Sequence, residues 1–514
     1  MAIDLEHLPE DPKVLQKMVL DLTAQLDRES AERHKVETIL RELLEARRNR
    51  KSEQLSEDQL ALFAAVWEAR QKAETKPDED PNDQDNDPKP ESDSSPKKKQ
   101  KNGGGRQPLS PHLKRERIVH DLKDAEKHCA VCAQDLRPIG EESSERYEYI
   151  PAQVIVVEDV CKKYACECTV KTATKPPQPI EKSTAGASLL AQVIVAKTAD
   201  HVPLNRQEKI FERHGVEISR KTMGGWMGQS ADLMKPLYRA AKEVLFLSKV
   251  VGTDDTGVKV LDDKLAYAPT GRIWPYRGDD AHPVVIFDYT RTRERIGPEK
   301  FLEGYRGYLQ VDAYGGYDAF FNKPERGLIE VGCWSHARRY YYKALESDVG
   351  RMGPALWFIA ELYKVEDRAA AMTAADRLCL RQIESKPILD QLHGYLQKIQ
   401  AEVLPKSPEG RAVRYTLNNW VALTRYCEDG GLSIDNNATE RDIRGVAVGR
   451  NNWMFFGSDR GGEIAAILRS FTASCQRVGV EPFAWFKDVL SRIATHPINR
   501  IAELLPHNWK PALA

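Results

Sequence analysis

Val244–Asp262 reads VLFLSKVVGTDDTGVKVLD, and the fold turns on it. An apolar run meets the acidic pair Asp254 and Asp255, and a second β-branched run follows. Short runs of this kind, bounded by Gly and Asp, are strand signals. Two more strands are predicted at RIWPYRG (Arg272–Gly278) and HPVVIFDYT (His282–Thr290). A short helix near Pro298–Leu302 precedes RGYLQVDAYGGYDAF (Arg306–Phe320), a strand ending at Asp312. GLIEVGCWSHARRYYYKAL (Gly327–Leu345) then reads as a strand running into a helix.

Strands in succession, then a helix, a strand, a short connection and a strand, match the order of a ribonuclease-H-like α/β fold. That fold sets one acid on its first strand and another at the end of its fourth, where Asp254–Asp255 and Asp312 fall. Successive strand residues point to opposite faces, so Asp254 and Asp255 cannot both face one site. The plain alternative for Asp312 is a turn residue before Tyr-Gly-Gly. Residues 340–428 read as mostly helical, with Leu356, Phe358, Leu362, Leu389, Leu392, Leu396 and Trp420 as core, an insertion before the closing helix. After it comes IDNNATERDIRGVAVGRNNWMFFGSDRGGEIAA, Ile434–Ala466. A helix wants less Asn and Gly, and a core strand fewer charges. The mixture suits a site that holds metal and phosphate, with Glu440 as a third carboxylate. Two readings of Glu440 stand side by side, because Asn437-Ala-Thr-Glu440 is also a capping-box pattern. Asp435 is the alternative third acid.

Three carboxylates on adjacent strands and a helix can hold two magnesium or manganese ions. Such ions activate water and relieve charge on a phosphodiester. Arg441, Arg444, Arg450 and Arg460, interleaved with Asn, Gly and Trp453, fit a surface tracking a DNA backbone, though solvated arginines are the plain alternative. No phosphate loop or Ser-His-Asp order competes.

The rest of the chain reads as machinery around that core. At 514 residues it should hold several domains. Lys+Arg 76 against Asp+Glu 77 gives net charge −1, but the charges are segregated. Acids crowd Glu74–Asp93, and bases crowd Lys97–Arg117 and Arg441–Arg469, which can hide a DNA-binding face in a neutral total. No apolar run is long enough to span a membrane, and the start MAIDLEHLPEDPK is no secretory signal, which points to the cytoplasm. Residues 11–47 are helical in composition, with Leu15, Val19, Leu22 and Leu26, then Val36, Leu40 and Leu43, at coiled-coil spacing. A coiled-coil dimer and a helix packed on its own chain explain them equally. Glu57–Ala73 forms another helical patch, and Lys76–Pro108 is a charged, Pro- and Gly-rich linker too polar to order itself.

Five of nine cysteines lie between Cys129 and Cys168. Cys129 and Cys132 form C-x-x-C, Cys166 and Cys168 form C-x-C, and strands are expected across Tyr147–Val160. This is a zinc-ribbon-like module holding one structural zinc, with Cys161 able to replace one of the second pair. In LNRQEKIFERHGVEISRKTMGGWM (Leu204–Met227) a helix ends at His214, Gly215 turns, and Ser219 caps a second helix. A helix-turn-helix of this form would present Arg220, Lys221 and Thr222 to DNA.

These residues together resemble the DDE transposases of the bacterial insertion-sequence sixty-six family, over nearly the whole chain. The motifs are IDNNATERDIRGVAVGRNNWMFFGSDRGGE from Ile434, CWSHARR from Cys333, LQVDAYGGYD from Leu309 and the closing LLPHNW. RKSEQLSEDQLALF from Arg50 and CAVCAQDLRPIGEE from Cys129 add the family's N-terminal and zinc-binding segments. The resemblance implies that Asp254, the first acid of TDDT, joins Asp312 and Glu440 as catalytic triad and magnesium ligands. It implies DNA strand cleavage and strand transfer at the element's inverted-repeat ends, acting on those ends and on target DNA as a homodimer or larger assembly. Two small accessory proteins of the same element are implied as helpers. Cys333 and His336 are similar to the C-x-x-H feature ahead of helical insertions in several such enzymes, with a role in shaping the site. The family closes its zinc module with C-x-x-C, where this chain has Cys166-Glu-Cys168.

The expected organisation is a multidomain α/β chain. It has a leucine-zipper-like helical region (1–75), a disordered charged linker (76–110), a zinc module (111–180) and a helix-turn-helix-like region (181–243). A ribonuclease-H-like core (244–339), a helical insertion (340–430), a closing part with Glu440 (431–480) and a helical tail (481–514) follow. Two other functions fit less well. A decayed DNA-binding regulator would not keep all three acids, and a ribonuclease-H-like structure-specific nuclease would not need the long N-terminal half.

Overall fold

The central sheet is built from the predicted strands and one short strand the sequence did not announce, Phe455–Phe456. In the computed structural model, residues 55–74, 153–166, 169–173, 177–262, 264–312 and 321–511 are described, together with Thr23. Asp78–Glu158 form a separate unit, of which 153–158 are described. All that follows concerns the other unit, unless stated.

Four helices lead into the sheet: α2 (Ala187–Thr198), α3 (Leu204–Arg213), α4 (Arg220–Leu233) and α5 (Lys235–Phe246), after α1 (Glu57–Glu74) and a small hairpin of β1 (Lys163–Cys166) and β2 (Thr169–Thr172). Strands β3 (Val250–Thr253) and β4 (Thr256–Val260) both pair antiparallel with β5 (Thr270–Arg277), which pairs antiparallel with β6 (Val285–Thr290). After α6 (Ile296–Phe301), β7 (Gly307–Gln310) pairs parallel with β3, and β8 (Leu328–Val331) pairs parallel with β7. The fold class is thus mixed α/β with a helical majority.

β3 and β4 are one strand whose ladder breaks at Asp254–Asp255. The registers Thr253↔Tyr276 and Thr256↔Ile273 are in step, so Asp254 lies opposite Pro275. Phe287, the partner of Pro275 on β6, donates its N–H to Ser470 Oγ at 2.8 Å and its carbonyl accepts from Tyr238 Oη at 2.8 Å, both away from β5. Antiparallel ladders alternate, so the Pro275 backbone faces Asp254 instead. Proline has no N–H to give. The gap in the ladder is therefore written into the sequence at the acidic pair.

Between β8 and the closing helices stands a helical layer: α7 (Trp334–Ala344), α8 (Val349–Ala369), α9 (Ala374–Leu380), α10 (Lys386–Glu402), α11 (Pro408–Asn418) and α12 (Trp420–Thr424). Its core holds Leu356, Phe358, Leu362, Leu389, Leu392 and Leu396, with Trp420 edge-on to buried Trp334. Helix α1 belongs to this core. Phe63 is fully buried against Gly353, and Trp67 sits edge-on between Phe358 and Tyr395. Closing the chain are α13 (Asn437–Trp453), β9 (Phe455–Phe456), α14 (Asp459–Arg477) and α15 (Pro482–Arg492). α14 packs on β6, and β9 pairs parallel with β4 at the sheet edge.

The expectation of strands across Tyr147–Val160 is corrected where the chain is described. Residues 153–160 carry no strand, and Val156 is 97% exposed; the strands are β1 and β2, just downstream. A β-branched run becomes a strand only with a partner to bond, and the described part of this run has none. The coiled-coil positions Leu15–Leu43 and the linker lie outside the described residues.

Candidate functional site

Parallel pairing brings two acids together. Gly252 is registered with Gln310, and two residues further on stand Asp254 and Asp312, each just past the C-terminal end of the β3–β7 ladder. Open α/β sheets place their ligand sites at such ends. The Asp312 carbonyl is held by Tyr415 Oη at 3.1 Å, which ties this strand end to α11.

The third element is the start of α13, brought in by a buried asparagine. Asn436 Nδ2 donates to the Thr253 carbonyl at 2.8 Å, one residue before Asp254, and its backbone N–H donates to Cys333 Sγ at 3.3 Å. Gly252 permits the approach, since a Cβ there would run into Thr439 Oγ1 and lie 3.0 Å from Asn436 Oδ1. Gln310 adds a bond to the Ser433 carbonyl at 2.8 Å. Neither Gln310 nor Gly252 was among the residues singled out from the sequence.

Glu440 and Asp435 divide the two roles between which the sequence left Glu440. Asp435 manages the helix start, accepting Asn437 N at 3.1 Å, Asn437 Nδ2 at 2.6 Å and Tyr363 Oη at 2.9 Å. Glu440 makes no cap. Its Oε1 is buried without a hydrogen-bond partner among the described residues, 3.6 Å from His336 Nδ1, which also lacks one. Glu440 therefore lies on the site face of α13 with lone pairs unengaged.

Asp254 and Asp255 separate just as sharply. The Asp255 carboxylate is almost fully buried between Arg272 and Arg293, each at 2.8 Å. Asp254 accepts the Asp255 N–H at 2.7 Å. Burial pushes its carboxyl up to about 7, and the neighbouring charges of Asp312, Asp255 and Glu440 push the same way. Carboxylates crowded beyond their hydrogen bonds are a feature of sites built for cations.

Cys333 and His336 complete the wall. Cys333 Sγ, a His336 ring nitrogen and a Glu440 oxygen lie within 4.8 Å of one another. Burial pushes the Cys333 thiol up to about 12, so it stands as a neutral acceptor for Asn436.

The basic residues named from the sequence divide into two sets. Arg441 and Arg444 are exposed on α13, and Arg220, Lys221 and Thr222 are exposed in the first turn of α4. Ser219 caps that helix by accepting Thr222 N at 3.1 Å, and Glu208 of α3 accepts Arg220 N at 3.0 Å. Arg450 instead donates to Thr256 Oγ1 at 2.8 Å and the Gly257 carbonyl at 2.7 Å, which pins α13 to β4. Arg460 pairs with Asp232 and with Glu463, tying α14 to α4. The guanidiniums of those two are thus already engaged within the fold.

Comparison with known proteins decides the family. The family model described as Transposase IS66 family matches residues 182–464, spanning the sheet, the helical layer and α13. The chain belongs to the IS66 transposase family. The IS66 C-terminal element matches 470–507, the zinc-finger binding domain of transposase IS66 matches 126–169, and a segment described as Transposase C of IS166 homeodomain matches 36–118. The uncharacterized protein y4jD of Sinorhizobium fredii (strain NBRC 101917 / NGR234) is 29% identical over 99% of this chain and 98% of its own. From the same organism, y4qI is 33% identical over 79% and 78%, and y4hP is 32% identical over 80% and 78%. The IS66 zinc-finger match spans all five clustered cysteines. Of them, Cys129, Cys132 and Cys168 lie outside the described residues, while Cys166 ends β1 and Cys161 is a half-buried free thiol. Among the described residues no helix is long and apolar enough to cross a membrane.

Proposed function

We propose that this IS66 transposase cuts and joins DNA strands at the ends of its insertion sequence, with Asp254, Asp312 and Glu440 as the catalytic carboxylates of a ribonuclease-H-like core. The observation that carries the reading is the β3–β7 register, which aligns Asp254 with Asp312, together with the Asn436–Thr253 bond that delivers Glu440 beside them. The sheet order supports the core assignment. Three antiparallel strands, β6, β5 and β3–β4, continue into β7 and β8, which run parallel to β3.

By donor chemistry the three carboxylates suit two magnesium or manganese ions. The set is all oxygen, it is crowded with negative charge, and Glu440 Oε1 is unengaged. Bound there, such ions supply a polarised water and relieve charge on the phosphodiester. The protein's part is to hold three carboxylates in register. Asp255 is neutralised by Arg272 and Arg293 on the other face and stays out of the chemistry. Cys333 and His336 shape the site, Cys333 by holding the Asn436 N–H and His336 by standing against Glu440.

Arg220, Lys221, Thr222, Arg441 and Arg444 hold DNA in this reading. One zinc bound by Cys129, Cys132, Cys166 and Cys168 orders the zinc finger. The assembly is at least a dimer, because two ends must meet, and it works in the cytoplasm with the element's small accessory proteins.

The test incubates the full-length protein with labelled inverted-repeat ends and magnesium, beside Asp312→Asn. Nicking at the ends by the parent alone is expected. Binding with no cleavage by the parent would favour a DNA-binding regulator, and cutting without regard to the ends would favour a structure-specific nuclease.

A further inference from the structure

Away from the carboxylates, a cavity of about 400 Å³ opens between the turn joining α2 to α3 and the far end of α13. Asp200, His201, Arg206, Lys209, Arg213 and Asn452 line it. Arg206, Lys209 and Arg213 are three and four apart on α3, hence on one face, and all are exposed. Among the described residues none of the three pairs with a carboxylate, and Arg213 turns to the Lys209 carbonyl at 3.2 Å. The one acid in the lining is Asp200.

Two further cations stand behind it. Lys197 lies 5.5 Å from the Trp453 ring centroid, and burial holds its amine down to about 8. Arg469 donates to the Thr198 carbonyl at 2.7 Å, while its buried Nε has no hydrogen-bond partner. Asp442, the acid that acts on Arg469, is already paired with Arg277 at 2.7 Å. His201 sits between Arg469 and Asp200 with a left-handed φ of 59°, a conformation a non-glycine residue keeps only where the surroundings impose it. A second cavity, beside α8, offers a contrast. Its Lys364 pairs with Glu361 and its Arg368 with Glu384, so its charges are met internally.

Unmet cations around a concave surface select an anion. We propose that this cavity and the basic face of α3 beside it seat neighbouring backbone phosphates of duplex DNA, and this rests on the strand-cleavage reading above. Arg206 to Arg213 spans about 10 Å of helix, longer than one phosphate and suited to neighbouring phosphates of a strand. α3 is also the first of two helices joined by a tight turn, the one that crosses the backbone when the second enters a groove. Asn452 is twelve residues beyond Glu440 on α13, about 18 Å along the axis. A strand running along α13, with about 3.4 Å of rise per nucleotide, would put roughly five nucleotides between the seated phosphates and the one that is cut.

The test measures binding of the full-length protein to a fluorescent mixed-sequence duplex over a salt series, for the parent and for Arg206→Ala/Lys209→Ala/Arg213→Ala. The variant's log–log salt slope should be shallower by about 2 to 3, since each lost phosphate contact removes about 0.9. Its affinity should fall equally on every sequence. If the triple variant melts early, Lys209→Glu is read in its place and must also flatten the slope. Unchanged slopes, or a parent that binds no duplex, would overturn the proposal. So would stabilisation of the parent alone by inorganic phosphate with equal DNA slopes, which marks a small-anion site. Failure of cleavage with the slope difference intact would sink the catalytic reading and leave this one standing.

Discussion

Asp435 and Glu440 lie five residues apart and should fail in opposite ways. Asp435 Oδ2 accepts both Tyr363 Oη and Asn437 Nδ2, at 2.9 Å and 2.6 Å, and Oδ1 accepts Asn437 N at 3.1 Å. Asp435→Asn can keep the Oδ1 bond but sets an amide against the Asn437 amide. Hydrogen bonds to a charged group contribute about 1.5–3 kcal/mol each, so one lost bond and one donor–donor contact should cost about 2–4 kcal/mol. Glu440→Gln removes no hydrogen bond among the described residues and relieves repulsion on Asp254, so its stability should equal or exceed the parent's. Cleavage should behave the other way. Glu440→Gln should leave no measurable cutting, whereas Asp435→Asn should retain cutting at temperatures where it stays folded. The assay pairs thermal unfolding with single-turnover cleavage of a labelled inverted-repeat duplex in magnesium. A stable Asp435→Asn without activity, beside an active Glu440→Gln, would refute the division of roles and make Asp435 the third acid.

Other substitutions probe how the site is held. Gly252→Ala pushes a methyl into Thr439, and overpacking costs of about 1–3 kcal/mol apply; cleavage should fall more than stability does, and an active variant would show that α13 need not seat so closely. Phe63→Ala empties a fully buried site against Gly353 and should cost about 3–5 kcal/mol, releasing α1 to trypsin at Arg70 while the sheet stays resistant; unchanged proteolysis would remove α1 from that core. Asp288 is held up at about 6 by burial, so its ionised form burdens the fold above that pH and the burden fades as pH falls toward 3.8. Asp288→Asn should therefore be more stable than the parent at pH 8, by on the order of 2–3 kcal/mol, with the gain shrinking toward pH 4. A gain independent of pH would show that titration is not its source.

Most of the sheet was legible because its longer strands carried their own signals, whereas two-residue β9 did not. β5, β6 and β7 fall within RIWPYRG, HPVVIFDYT and RGYLQV or a residue or two beyond. The helical layer was legible from its Leu and aromatic spacing. Less visible was what joins distant segments. Nothing local in Glu57–Ala73 tells that Phe63 and Trp67 complete a core made by α8 and α10, since a helix's apolar face does not name its partner. Sequence also could not tell Glu440 from Asp435, because a capping box and a ligand set use the same carboxylate, and only the Asn436–Thr253 contact sets which one faces the acids. Asp255 needed Arg272 and Arg293, which lie 17 and 38 residues away.

The stretch from Ile434 drew attention by its Asn, Arg and Gly content, and that content proves to be of two kinds. On the proposed reading, a carboxylate that must meet two others needs placement within about 0.5 Å, which a loop seldom gives. α13 buries few apolar side chains, Ile443 and Val446 chief among them, too few to fix both its rotation and its height on the sheet. Polar clamps do this work. Asn436 holds Thr253 at one end, Asp442 meets Arg277 at 2.7 Å in the middle, and Arg450 grips Gly257 and Thr256 further on. All three reach the strand pair that carries or faces Asp254, so the helix and the first acid move as one body. The charges remaining on the outer side, Arg441 and Arg444, have no such task in the fold. A polar helix on a sheet is thus explained by registration, and only its unclamped arginines are left for a ligand.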